Sequence, residues 1–169
     1  VPEIQFNMSA RDLQTPTAGA YTTATAQLQL VSPTFSLDVK AQRVGTGGLE
    51  IFADGRIPPT GAREVILHRA RMELGEEQWA LLNPAVFSWS SERNSPVNVR
   101  NLDFREVDGD GRVFIDGRVR PPASADFRVE TVSFPVGELQ RLLGRQPLVE
   151  GELALNATIL VTAGVPRIV

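Results

Sequence analysis

Apolar and polar residues alternate along most of the chain with a period of two, which sends successive side chains to opposite faces of a β-sheet. Ala24, Ala26, Leu28 and Leu30 alternate with Thr25, Gln27 and Gln29, and Phe35, Leu37, Val39 and Ala41 with Ser36, Asp38 and Lys40. Leu153, Leu155, Ala157, Ile159 and Val161 do the same farther on. Further strands are expected over 50–57, 64–74, 85–90, 96–104, 112–120 and 126–134. Turn chemistry separates them at Ser32-Pro33, Gly45 to Gly48, Pro58-Pro59, Asn94-Ser95-Pro96, Asp108 to Gly111 and Pro121-Pro122. Two stretches predict short helices instead, 76–82 (EEQWALL) and 138–143 (ELQRLL), the second with Leu139, Leu142 and Leu143 at helical spacing. The expected fold is all-β with two small helices.

The chain also resembles itself. Residues 51–82 align without a gap on 113–144, with nine identities in thirty-two, among them Phe52/Phe114, Asp54/Asp116, Gly55/Gly117 and Arg56/Arg118. The apolar alternation slips once in each copy, at His68-Arg69 and at Glu130-Thr131, as a β-bulge at the same place in both would require. Two copies are few for a repeat protein, and neither end reads as a natural terminus, so the expectation is one β-segment, 1–169, of a longer repeat protein.

Composition narrows the function classes. The 169 residues carry 17 basic and 20 acidic side chains, a net charge of −3, which supplies no basic field for a nucleic acid backbone or an anionic membrane surface. No apolar run approaches the length of a spanning helix. With no cysteine and one histidine, thiolate and multi-histidine metal sites are excluded. The remaining chemistry reads as structural. Asp108-Gly109-Asp110-Gly111 lacks the rest of a calcium loop and suits a hairpin turn. Asp54 and Asp116 recur at the repeat spacing, as architectural residues would, and His68 sits at the slip with no nucleophile constellation around it. Trp79 and Trp89 serve either as buried anchors or as stacking platforms for a ligand. No enzyme, metal or cofactor is expected.

What covers the apolar side of the sheet stays open at this level. Two such faces bury each other in a closed sandwich, and an extracellular β-sandwich binding module with a tryptophan on its ligand face is one reading. An elongated sheet curled into a trough would leave the lining for something else to fill. The short helices offer little roof.

An ordered set of motifs bears on the choice: Trp79 to Val86 (WALLNPAV), Val97 to Phe104, Gly111 to Val119 (GRVFIDGRV), Leu139 to Leu143, and Leu148 to Ala157 (LVEGELALNA). Together they resemble the C-terminal repeats of the TamB family, within the AsmA-like group of bacterial envelope proteins. The first half of the chain matches as a more diverged copy. The resemblance implies an elongated, taco-shaped antiparallel sheet, an open trough with an apolar interior. It also implies a periplasmic location in a bridge that carries phospholipid between inner and outer membrane, in a parent anchored in the inner membrane. Similar proteins are also tied to outer-membrane protein assembly with an Omp85-type barrel partner, through regions outside this segment. On that reading the acyl chains would be lined by Leu28, Leu30, Phe35, Leu37, Val39, Ile51 and Ile57 in the first half. Val65, Leu67, Val113, Ile115, Val119, Phe127, Val129, Leu153, Leu155, Ile159 and Val161 would continue the lining.

Overall fold

The computed structural model describes residues 3–15, 19–43, 47–74, 76–92, 94–120, 124–137, 140, 148–162 and 165–168. Twelve strands form one antiparallel sheet: β1 (Glu3–Thr15), β2 (Gly19–Val31), β3 (Thr34–Arg43), β4 (Gly48–Arg56), β5 (Ala62–Leu74), β6 (Glu77–Leu81), β7 (Ala85–Ser90), β8 (Val97–Glu106), β9 (Arg112–Arg120), β10 (Ser124–Pro135), β11 (Glu152–Thr162) and β12 (Val165–Ile168). The order is a meander: strands that follow one another in the chain lie side by side, most of them joined by hairpins or compact turns, while sixteen residues, 136–151, separate β10 from β11. β6 and β7 are two pieces of a single crossing, interrupted at Leu82-Asn83-Pro84: both pair with β5 on one side and with β8 on the other.

The alternating segments become strands where the pattern places them. The helix expected at 76–82 does not form. Residues 77–81 are β6, and Met72 of β5 pairs with Trp79 there. Six or seven residues give a helix too few internal hydrogen bonds to hold by itself, whereas the gap between β5 and β8 offers this segment ladder partners on both edges. The helix expected at 138–143 lies outside the described residues except for Gln140.

The two slips resolve differently. In β5 the bulge is at His68: Phe52 pairs with Arg69 and Ala53 with Leu67, leaving His68 as the extra residue. In β10 the register against β9 runs unbroken from Ser124 to Val132, and the shift falls two residues later, against β11, between Thr131 and Phe134. Thr131 sits opposite Val113 on the apolar side and is buried, its hydroxyl donating to the Leu153 carbonyl at 3.2 Å, so a polar residue continues an apolar alternation there. A third shift, between Val99 and Leu102 of β8, includes Asn101 at φ 57°.

A single layer leaves little interior. Among the described residues the buried apolar side chains are Ala53, Ala70, Trp79, Ala85 and Ala157. The accessible surface is 10923 Å², against about 8,200 Å² for a compact monomer of this mass. The described strands all belong to this one sheet, so no second sheet closes a sandwich over it.

Candidate functional site: an apolar face across the sheet

Directly opposed residues in an antiparallel ladder point to the same side, so the register alone assembles the face. One row runs Ile4, Leu30, Phe35, Gly55, Val65, Phe87, Val99, Gly117, Phe127 and Ile159, each residue paired with the next, with no polar side chain in it. A second runs Phe6, Leu28, Leu37, Ala53, Leu67 and Ala85, and continues through Leu102, Ile115, Val129 and Ala157. A third starts Met8, Ala26, Val39, Ile51 and Ala70, and Leu81, Phe104, Val113, Thr131 and Leu155 carry it on. The shifts at His68, at Arg100-Asn101 and at Val132-Ser133 each restore the alternation beyond them, which keeps the apolar residues on one side.

The proposed lining residues lie on this face with two qualifications. Ile57 follows the last residue of β4 and sits at the margin, 42% exposed. For Val161 only the backbone register is described, opposite Ala125 and Pro166. Reading by strand pattern missed Ile4, Phe6 and Met8 of β1, although the alternation in EIQFNMSA marks them. It also left out Phe87, Val99, Leu102 and Phe104. Most large side chains on the face keep partial solvent access: Phe6 is 51% exposed and Leu155 39%. They shelter one another sideways, and no other described part of the chain lies over them.

At two repeat-equivalent positions the floor is cut down to glycine. A Cβ on Gly55 would come within 2.8 Å of the Phe35 ring, and one on Gly117 within 2.8 Å of the Phe127 ring. Each ring therefore lies across the neighbouring strand where a side chain would stand, a pairing that lets a strand bend sharply while the apolar surface stays continuous.

The opposite face is polar and ion-paired. Glu50 of β4 meets Lys40 of β3 and Arg69 of β5, each at 3.4 Å. At the corresponding place in the second copy the signs reverse: Arg112 of β9 meets Asp103 of β8 and Glu130 of β10, each at 3.0 Å. Hydrogen bonding to Asp103 raises the Arg112 pKa above its ordinary value, and the charges of Asp103 and Glu130 add to this against the cost of burial. The guanidinium also lies 5.0 Å from the Phe114 ring centre.

The candidate chemical residues fall into structural places. Asp54 contacts the bulge residue His68 at 3.0 Å, and the His68 ring packs beside Phe52 at 5.5 Å. Its counterpart Asp116 accepts a hydrogen bond from the Asn101 backbone in the β8 bulge at 3.2 Å. Both aspartates thus brace an irregularity in the adjoining strand. Asp108 to Gly111 forms the β8–β9 turn, closed by Glu106 N–H to the Gly111 carbonyl at 3.0 Å. Among the described residues no three metal-ligating side chains converge, and no helix is long and apolar enough to cross a membrane.

The two tryptophans mark the two margins of the apolar face. Trp79, 1% exposed, packs edge-on to Phe134 with ring centres 5.4 Å apart and covers Gly111. Its indole N–H donates to Glu77 at 3.1 Å, and Glu106 pairs with it across the β6–β8 ladder. Trp89 stands at the other margin, half-buried, opposite Arg63 in the β5–β7 ladder. No protein family, no curated protein and no solved structure is found to match this chain.

Proposed function

We propose that this chain is a periplasmic segment of a bridge-like phospholipid transport protein of the TamB type, working between the inner and outer membrane. Its apolar face shields acyl chains from water. The reading rests on one observation: two rows of apolar residues cross ten strands without a polar side chain, a third is interrupted only by Thr131, and among the described residues nothing from the protein itself lies over them.

The energetics favour such a role. Exposing a sixteen-carbon chain to water costs on the order of 12 kcal/mol at about 0.8 kcal/mol per methylene. A continuous apolar strip removes most of that barrier and demands no shaped pocket. At about 4.8 Å between strands the rows run for about 43 Å along the sheet, roughly three times the depth of one hydrocarbon leaflet. Aliphatic side chains without a catalytic cluster are what passage of hydrocarbon requires. The sandwich-module reading has no such support, since a dry core between two sheets would leave Phe6 and Leu155 covered.

Lipid extraction and mass spectrometry of the protein purified from bacterial envelopes test the proposal, together with displacement of a fluorescent acyl probe by phospholipid. Co-purifying phospholipid and saturable displacement are the expected results. A protein that arrives free of lipid and accepts no acyl probe would overturn the reading.

A further inference from the structure

The two tryptophans at the margins of the apolar face are paired with residues of opposite charge. Among the described residues few charged positions share the register of that face, and they sit at its ends; Arg43, opposite Tyr21, is described there by backbone register alone. Arg63 pairs with Trp89 at one margin, and Glu106 pairs with Trp79 at the other, where Glu77 also stands opposite Leu74. The β5–β6 and β8–β9 connections at the Glu106 margin hold Glu76, Asp108 and Asp110; at the Arg63 margin Arg56 and Arg120 end the strands that lead into the turns, and Glu92 lies in the β7–β8 turn.

Arg63 is also held in place. Its Nε and Nη2 donate to the carbonyls of Pro58 and Pro59 at 3.2 and 3.1 Å, and it makes no ion pair among the described residues. A guanidinium has five N–H donors in a fixed fork, so this anchoring leaves donors and an uncompensated positive charge beside a half-buried indole. Glu106, by contrast, turns back onto its own hairpin and accepts from Gly111 N–H at 3.1 Å.

We infer that the Arg63–Trp89 margin receives the anionic head of an amphiphile whose hydrocarbon lies on the apolar rows, and that the Glu106–Trp79 margin repels it. The ligand class is a lipid bearing a phosphate ester. The guanidinium pairs with the phosphate oxygens, the indole takes the interfacial position between head and tail, and the acidic margin gives the lipid one orientation across the trough. This rests on the acyl-groove reading and adds to it a headgroup side and the residue that selects it.

The test uses single-chain amphiphiles of equal chain length with a phosphate, an uncharged or a trimethylammonium head, titrated below their micellar concentrations at low salt. The phosphate amphiphile is expected to bind the wild-type chain at least about tenfold more tightly than the cationic one. Arg63→Glu should abolish or invert that ratio, and Arg63→Gln should reduce it, while affinity for the uncharged amphiphile stays within about twofold in both. A spin label next to the phosphate should quench tryptophan fluorescence, and Trp89→Phe should remove the quenching. Inorganic phosphate at the same concentration should not displace the amphiphile; displacement by phosphate would indicate a free-anion site and overturn the assignment. Equal binding of the three heads, or a ratio unmoved by Arg63→Glu, overturns the headgroup inference alone. Failure of the uncharged amphiphile to bind overturns the groove itself.

Discussion

The Arg112 guanidinium holds the Asp103 carboxylate in a two-point fork, Nε to Oδ1 at 3.0 Å and Nη2 to Oδ2 at 3.1 Å. Asp103 is 7% exposed, and its other cationic neighbour, Arg105, stands farther off at 3.6 Å. In a sheet with few buried side chains this pair tethers β8 to β9, and Glu130 extends it to β10. Arg112→Met is expected to cost about 2–3 kcal/mol, because it strands a buried carboxylate, and Asp103→Leu in the same chain should restore part of the loss. Urea unfolding of the two single variants and the double variant measures the coupling. A coupling near zero would mean that the tether adds nothing to the stability of the sheet. Because the Arg112 pKa is raised, the stabilisation is complete below the ordinary arginine value and is lost only as pH rises beyond it, so Arg112 adds no slope near neutrality.

Gly117 has φ 149°, and a Cβ there would meet the Asp126 carbonyl and the Phe127 Cα. Its repeat counterpart Gly55 meets Glu64 and Val65 in the same way. Gly117→Ala and Gly55→Ala are each expected to cost at least about 2 kcal/mol through backbone collision and displacement of a phenylalanine ring. Gly61→Ala is the control: its φ of 87° carries strain of about 1 kcal/mol, yet no atom lies within 4 Å of the added methyl. Thermal denaturation of the three variants should separate the first two from the third.

These glycines also show where reading the sequence succeeds. The alignment of Gly55 with Gly117 is visible in the letters, but the rings laid over them come from different sides, Phe35 from the preceding strand and Phe127 from the following one. Alternation locates strands because one buried face is enough to fix parity. It fails where a residue breaks type without breaking parity. Thr131 faces inward among apolar neighbours because a carbonyl satisfies its hydroxyl, and this displaces the expected bulge from its true position. It fails again at 77–81, where a helical-looking composition yields to ladder partners that no local window contains. The margins illustrate a third limit. Arg63 and Glu106 are 43 positions apart in the sequence, and their opposition across one face depends on the register of the strands between them.

Among the described residues β1 leaves one edge of its backbone unpaired, and Ile4, Phe6 and Met8 on it are 43–53% exposed. Lysine and proline, the usual protections of an edge, are absent from Glu3–Thr15. The chain is therefore expected to self-associate as its concentration rises, and Phe6→Lys should shift the equilibrium toward monomer without lowering the urea midpoint. Sedimentation velocity at several concentrations reads this directly. A Phe6→Lys variant that associates as strongly as the wild type would place the contact elsewhere on the molecule.

Leu155 separates an open trough from a packed core. It is 39% exposed and closes the row that Val113 and Thr131 lead into. An arginine in a dry core would cost several kcal/mol and unfold the sheet, whereas on an open face its long stem lies along neighbouring side chains and its head reaches water. Leu155→Arg is therefore expected to shift folding stability by less than about 1 kcal/mol while weakening the binding of an uncharged acyl probe severalfold, because a charge now interrupts the path. Leu160→Arg supplies the comparison, since Leu160 pairs with Asp126 on the polar side and is similarly exposed at 37%. It should leave both stability and probe binding unchanged. Loss of folding in Leu155→Arg alone would show that side of the sheet to be sealed, and equal effects of the two substitutions on the probe would remove the distinction between the faces on which the conduit depends.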